Sequence, residues 1–255
     1  MFLESLNINV APYATITNLE DIQHAATGIG FPSILKPVRV ERNKPENIVL
    51  YSEQDFEKAR ELLQTGTCML EAWIPFEKEL AITVAMGSTE ANITHFPVSH
   101  TIYKAGILQT TITPAQIDLE INEAIQQVAQ TIARSLQMPG ILTVELFITA
   151  AGAVYVKKII LYPHESCDYS VDACNVSQYE LLVRSICGFP LPEITLWKSN
   201  KSYPVLEEGF EKALRDIQAH PEWLFHFYGE AAKEPERKVG HLTVLDEKEA
   251  ELPKE

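Results

Sequence analysis

Ile117, Ile121, Ile125, Val128, Ile132 and Leu136 recur at three- and four-residue spacing, and no other feature constrains the fold as much. The spacing predicts an amphipathic helix of about five turns with one apolar stripe to bury. Pro139-Gly140 punctuates its end. The stripe needs a partner surface, and both flanks offer one. Upstream, Leu80 to Met86 and Ala91 to Phe96 read as strands joined by a Gly87-Ser88 turn, within a mostly sheet-like block from Cys68 to Thr113. Downstream, Ile141 to Thr149 and Val154 to Leu161 read as two strands with Ala151-Gly152 between them. Sheet blocks flanking a long helix predict an α+β protein.

The ends are patterned differently. Near the N-terminus, a helix from Leu19 to Thr27 capped by Asn18 precedes two strands, Pro32 to Lys36 and Ile48 to Tyr51. A helix then runs from Ser52 to about Gln64. Later, Ser177 to Ile186 reads as a helix stopped by Gly188. Trp197 to Pro204 is polar and reads as a linker. A helix over Leu206 to Ala219, a strand region at Trp223 to Tyr228 and a strand at Gly240 to Leu245 lead into an acidic tail expected to be disordered.

Composition narrows the function classes. The 255 residues allow one large domain or two smaller ones. A net charge of −14 argues against nucleic-acid binding, which needs a basic face. It leaves room for a phosphorylated ligand in a local pocket. No apolar run reaches the roughly 18 to 20 residues that cross a bilayer, and the N-terminus lacks a basic signal-peptide region. A cytoplasmic protein is therefore expected, with no membrane partner. None of Cys68, Cys167, Cys174 and Cys187 forms a CxxC pair, which argues against a zinc site. They are expected to be reduced thiols, with Cys68 and Cys187 in packing roles.

Five segments say more. APYATITNLEDIQHAATGIGFPSILK (11–36), CMLEAWIPFEKELAITVA (68–85), GILTVELFIT (140–149), DACNVSQYELLVRSICGFPLP (172–192) and HFYGEAAKEPERKVGHLTVL (226–245) together resemble the ATP-grasp ligases of the 5-(carboxyamino)imidazole ribonucleotide synthetase family. The fourth is the most specific. The resemblance implies an ATP-grasp fold of two β-rich lobes with helices over residues 1–192. A small C-terminal β-rich domain would follow over 193–246, then the tail over 247–255. It implies joining of bicarbonate to aminoimidazole ribonucleotide at the expense of ATP, with magnesium at the phosphates. Positioned cations would neutralise charge developing on the phosphoryl oxygens.

The resemblance also assigns residues. Lys36 falls where a lysine contacts the ATP phosphates; the plain alternative is a surface lysine. Glu71, Ala72, Trp73 and Ile74 fall on the hinge that receives adenine through backbone groups. Glu79 falls on the ribose-binding carboxylate, or is simply a solvated strand residue. Glu145 falls on the first magnesium carboxylate, with a structural salt bridge to Lys157 or Lys158 as the alternative. His164 and Ser166 fall in the segment that holds the phosphorylated substrate. No catalytic side chain is assigned. His241 is expected to be structural, and Ser166-Cys167 has no evident base.

Three departures bear on activity. Val40 to Asn47 replaces a glycine-rich phosphate loop; it has no glycine, and Pro45 removes a backbone donor. Lys157-Lys158 replaces an Asn-Glu pair that serves magnesium, and an ammonium cannot ligate a hard cation. Tyr162 to Asp168 keeps the proline, histidine and serine of the substrate-holding segment but loses its arginine, asparagine, glycine and second histidine, and Tyr103 replaces a histidine near the nucleotide. The family also carries an N-terminal domain ahead of the segment where this chain starts. These departures give the expectation of a ligase with weak or absent activity. The alternative is a noncatalytic regulatory or scaffold subunit that keeps nucleotide binding. The expected partners are a nucleotide, aminoimidazole ribonucleotide, bicarbonate, and a homodimer mate or a chain supplying the further domain. Lys157 and Lys158 are also weighed as fixed charges standing in for magnesium beside Glu145.

Overall fold

The computed structural model describes residues 2–39, 47–89, 92–229 and 235–249. Residues 9–75 form one compact unit; residues 1–8 and 76–255 form another. The loop 40–46, singled out above for its lost glycines, lies outside the described residues. Helix α1 (Phe2–Ser5) belongs with the second unit.

In the unit of residues 9–75, β1 (Tyr13–Ile16), β2 (Ser33–Pro37), β3 (Ile48–Leu50) and β4 (Cys68–Ala72) form an antiparallel sheet in the order β1-β4-β2-β3. Helices α2 (Leu19–Ile29) and α3 (Ala59–Leu63) cover it. The Asn18 side chain accepts the Asp21 amide at 3.0 Å, and Asp21 accepts the Thr17 amide at 2.7 Å, so both sides of the α2 start are capped. Ile16, Ile22, Leu35, Leu50, Leu62, Cys68 and Leu70 are fully buried between helices and sheet. Strand alternation then decides the other face. Leu35 and Leu70 point into this core, so Lys36 and Glu71 point away from it.

In the larger unit, nine antiparallel strands form one sheet. They are β5 (Phe76–Met86), β6 (Ile93–His95), β7 (Ser99–Lys104), β8 (Ile107–Thr113), β9 (Gly140–Thr149), β10 (Val154–Ile160), β11 (Lys198–Leu206), β12 (Leu224–Phe227) and β13 (Lys238–Glu249). The order is β10-β9-β5-β7-β8-β11-β13-β12, with β6 on β5. The helices are α4 (Leu119–Leu136), α5 (Ser170–Ala173), α6 (Gln178–Ile186) and α7 (Phe210–Ala219). The periodic run is α4, and it buries Ile125, Ala129, Ile132 and Ala133 against β5 and β9. Helix α6 packs on the same two strands. Enclosed in this way, β5 is buried continuously from Leu80 to Met86, so it reads as an apolar run without alternation. Its one buried hydroxyl there, Thr83, pairs with its cross-strand neighbour Thr143 at 2.7 Å.

Three expectations need correction. Trp197 to Pro204 is not a linker: β11 occupies nearly all of it, pairing with β8 on one side and β13 on the other. The strands of the C-terminal segment join the main sheet in this way, and Val205, Ala213 and Val239 with Phe210, Phe225, Phe227 and Leu242 make a small core of their own. Strand β13 continues to Glu249, into the segment expected to be disordered; residues 250–255 lie outside the described residues. Cys187 is exposed rather than packed, whereas Cys68 is buried. No described helix is long and apolar enough to cross a membrane.

Candidate functional site

The carboxylates of the larger unit converge because of strand register. Glu145 on β9 lies opposite Ala81 on β5, and Glu79 is two residues from Ala81 on the same strand. Alternation puts both acids on one face of the sheet, as diagonal neighbours. Glu145 is 6% exposed and so needs partners. Tyr103 on β7 supplies one, donating its hydroxyl to Glu145 Oε1 at 2.6 Å. Burial and the adjacent carboxylate push the Tyr103 phenol upward, which keeps it a neutral donor.

Lys157 supplies the other. Strand β10 slips register between Val156 and Lys158, leaving Lys157 at the bulge. Its ammonium is 2.7 Å from Glu79 Oε2 and 3.7 Å from Glu145 Oε2. It also lies 4.6 Å from the centre of the Tyr103 ring and 5.4 Å from that of Phe147, within cation–π range of both. One cation thus serves two carboxylates. Lys158, although its Cα is the one paired with Glu145, is exposed. Of the two lysines, only Lys157 makes the salt bridge weighed from sequence.

His164 borders this group, with Nε2 3.9 Å from Glu145 Oε1. Burial, opposed by Glu145, is the main influence on its pKa and lowers it, which favours the uncharged ring. Its Nδ1 is 2.9 Å from the Ser166 hydroxyl, so the two predicted substrate residues are brought together and face each other. Behind them lies a cluster that sequence reasoning missed. Asp168, buried, accepts from Gln178 Nε2 at 3.2 Å, from the Tyr179 hydroxyl at 3.1 Å, and from the Lys238 ammonium. Gln178 also clamps the His164 backbone through its amide and carbonyl, at 2.9 and 3.0 Å. The residues are up to 70 positions apart, so no local spacing marks them. The buried Cys167 thiol is pushed up by desolvation, which removes it as a nucleophile.

In the unit of residues 9–75, Ile34 pairs with Glu71 and Lys36 with Met69. Lys36 and Glu71 are therefore diagonal neighbours on the face turned from the core, and the ammonium donates to Glu71 Oε2. On the hinge, the Ala72 amide donates to Pro12 O at 2.8 Å and the Trp73 amide to Pro32 O at 3.1 Å. These two donors are committed within the fold. Ligand recognition there would rest on carbonyl groups and on Ile74.

The residues do not fit a magnesium ion at Glu145. That ion demands six oxygens at about 2.0–2.1 Å in near-octahedral array. Glu145 instead has one oxygen taken by the Tyr103 hydroxyl and the other facing an ammonium. The same ammonium holds Glu79, the predicted ribose contact. In this structure Glu145 is instead an ion-pair partner of Lys157, whose ammonium occupies the cationic position beside it.

Comparison with known proteins agrees with this architecture. The sequence profile of the ATP-grasp domain matches residues 1–179, and that of the phosphoribosylaminoimidazole carboxylase C-terminal domain matches residues 202–255. The N5-carboxyaminoimidazole ribonucleotide synthase of Staphylococcus aureus strain MRSA252 is 33% identical over 244 residues, covering 95% of this chain and 64% of that protein. The Bacillus subtilis strain 168 enzyme of the same name is 30% identical over 249 residues, covering 98% and 65%. The solved ADP complex of an N5-carboxyaminoimidazole ribonucleotide synthetase superposes with a TM-score of 0.91 at 34% identity, covering 96% of this chain and 65% of that one. The Staphylococcus aureus N5-carboxyaminoimidazole synthetase complexed with ADP gives a TM-score of 0.88 at 30% identity, covering 97% and 65%. The chain spans just under two thirds of the length of these relatives. Matched over most of its length by the ATP-grasp profile, and beyond it by the carboxylase C-terminal profile, the chain belongs to the ATP-grasp family, with the α+β fold that family has.

Proposed function

We propose that this chain is a nucleotide-binding relative of the N5-carboxyaminoimidazole ribonucleotide synthases whose own ligase activity is weak or absent. One observation carries the reading: the Lys157 ammonium lies between Glu79 and Glu145, where the family's chemistry requires carboxylates free for ribose and metal. Adenine nucleotide is the ligand, by similarity to relatives solved with ADP. Lys36, Glu71, Ala72, Trp73, Ile74 and Glu79 are the residues proposed to meet it, and His164 and Ser166 those proposed to meet aminoimidazole ribonucleotide. Lys36 and Lys157 already hold acidic partners, so an anionic phosphate has to share or displace Glu71 or Glu79. That competition lowers affinity without abolishing it. By ancestry, residues 1–192 are the ATP-grasp part and 193–246 the carboxylase C-terminal part. A cytoplasmic setting and a homodimeric or two-chain assembly complete the proposal.

Titration calorimetry with ATP, with and without magnesium, and an ATPase assay with bicarbonate and aminoimidazole ribonucleotide test it together. Binding that is indifferent to magnesium, with little turnover, is expected. Turnover at about 1–10³ s⁻¹, the range of ordinary enzymes, would overturn it. The double variant Lys157→Asn, Lys158→Glu, which restores the family pair, is expected to make ATP binding magnesium-dependent.

A second reading, a working ligase completed by another chain, is favoured by the survival of Glu79, Glu145 and His164 on one face. Adding a chain that carries the part of the relatives not spanned here separates the two. Turnover appearing only in the mixture supports the second.

A further inference from the structure

Strands β12 and β13 bring two histidines together, with His241 Nδ1 4.0 Å from Asp168 Oδ2. His226 and His241 are direct cross-strand partners, and their rings stack with centroids 4.7 Å apart at 18°. Asp172 of α5 reaches the same place, with Oδ1 at 2.9 Å and Oδ2 at 3.1 Å from His226 Nε2. One potential ligand atom from each of the three residues lies within 4.8 Å of the others. His241 is 3% exposed, and its Nε2 has no hydrogen-bond partner among the described residues. Its other nitrogen, Nδ1, is 3.0 Å from the Tyr228 hydroxyl, which fixes the ring.

A His-Asp pair with a bystander ring accounts for His226 and Asp172. It leaves His241 Nε2 buried and unanswered, although a buried nitrogen of this kind ordinarily has a partner. If Nδ1–H donates to Tyr228, Nε2 carries the free lone pair of a metal ligand. A ligating histidine commonly has its second nitrogen anchored in this way. We propose that Asp172, His226 and His241 form a zinc site, with two imidazoles and one carboxylate leaving a fourth position for water.

The chemistry suits that ion. Two nitrogens and one carboxylate oxygen at about 2.0–2.2 Å are an ordinary zinc donor set, and tetrahedral ligands then stand about 3.3 Å apart. The candidate ligand atoms lie within 4.8 Å of one another, and metal binding would draw them to that spacing by side-chain rotation. The His226 side chain, 37% exposed, provides both the mobile ligand and the route in from solvent. Mixed nitrogen and oxygen donors disfavour magnesium and calcium, which take oxygen.

The test uses the whole chain, stripped with chelator and titrated with zinc by calorimetry and with cobalt by visible absorption. One equivalent should bind each metal. Cobalt should give d–d bands of a tetrahedral or five-coordinate site with no near-ultraviolet thiolate band. His226→Ala, at the solvent side, should keep its fold by circular dichroism and bind zinc at least about tenfold more weakly, the size of loss expected for a disturbed metal site. Asp172→Asn serves as a second variant should that one misfold. Failure of the wild-type chain to bind, affinity retained within twofold by a folded variant, or a thiolate band reporting the exposed Cys187 would each overturn the site.

Discussion

Lys157 is the residue on which the reading of the carboxylate face turns. It holds two acids with one charge, and its side chain is only 26% exposed. Lys157→Met removes the cation and leaves Glu79 and Glu145 sharing a face without it. Breaking a buried pair costs about 3–5 kcal/mol, and an exposed one less than about 1 kcal/mol. A loss of about 1–3 kcal/mol in urea denaturation is expected here. Tyr103→Phe should cost a similar amount, since a hydrogen bond to a charged group contributes about 1.5–3 kcal/mol. His164 and His100 add a pH dependence. Burial lowers both pKa values in the folded chain, so the unfolded chain binds more protons below its own histidine pKa. Stability is thus full above about pH 6.5 and falls as pH drops below it, toward the lowered folded values. Unfolding free energies at pH 7, 6 and 5 should decline, and His164→Gln should flatten the decline. The types of these residues were legible from the chain; their pairing was not. Lys157 and Lys158 look equivalent in sequence, and only a one-residue slip in β10 selects the first.

At the scale of elements, legibility followed apolar patterning. Helix α4 was plain because its stripe is continuous. Strand β11 was not, because its buried positions include Asn200 and Ser202 rather than apolar residues. It is a strand because β8 and β13 flank it, a long-range cause that Lys198-Ser199-Asn200-Lys201-Ser202 does not display. The zinc candidate escaped for the same reason. Asp172, His226 and His241 have no ligand spacing along the chain, and strand pairing unites them. Gly240 is the local device in that pairing. A Cβ there would lie 2.4 Å from His226 O, so no side chain fits without moving β12 from β13. Gly240→Ala should therefore destabilise by about 1–3 kcal/mol, as overpacked sites do. It should also separate the two imidazoles, so the variant should lose cobalt absorption together with stability.

For the molecule as a whole, ancestry and architecture divide the chain differently. The two matching profiles stop and start between residues 179 and 202, which invites treating the C-terminal part as detachable. The larger unit is not built that way. Strand β11 hydrogen-bonds to β8, and β13 carries Lys238 back to the buried Asp168. Leu196 packs in the cluster of Phe96, Tyr169 and Leu181. A chain ending at residue 192 would bare the β8 edge with its buried Thr111 and Thr113, an open template for association. It would also leave Asp168 without its ammonium, at a cost of about 3–5 kcal/mol for an uncompensated buried charge. Against a typical total stability of about 5–15 kcal/mol, those losses remove cooperative folding of the larger unit. The shortened chain is therefore expected to aggregate or to unfold without a sharp transition, measured by light scattering and thermal circular dichroism beside the full chain. A sharp transition and a monodisperse shortened chain would mean that residues 193–246 are an independent domain, as the profiles alone suggest.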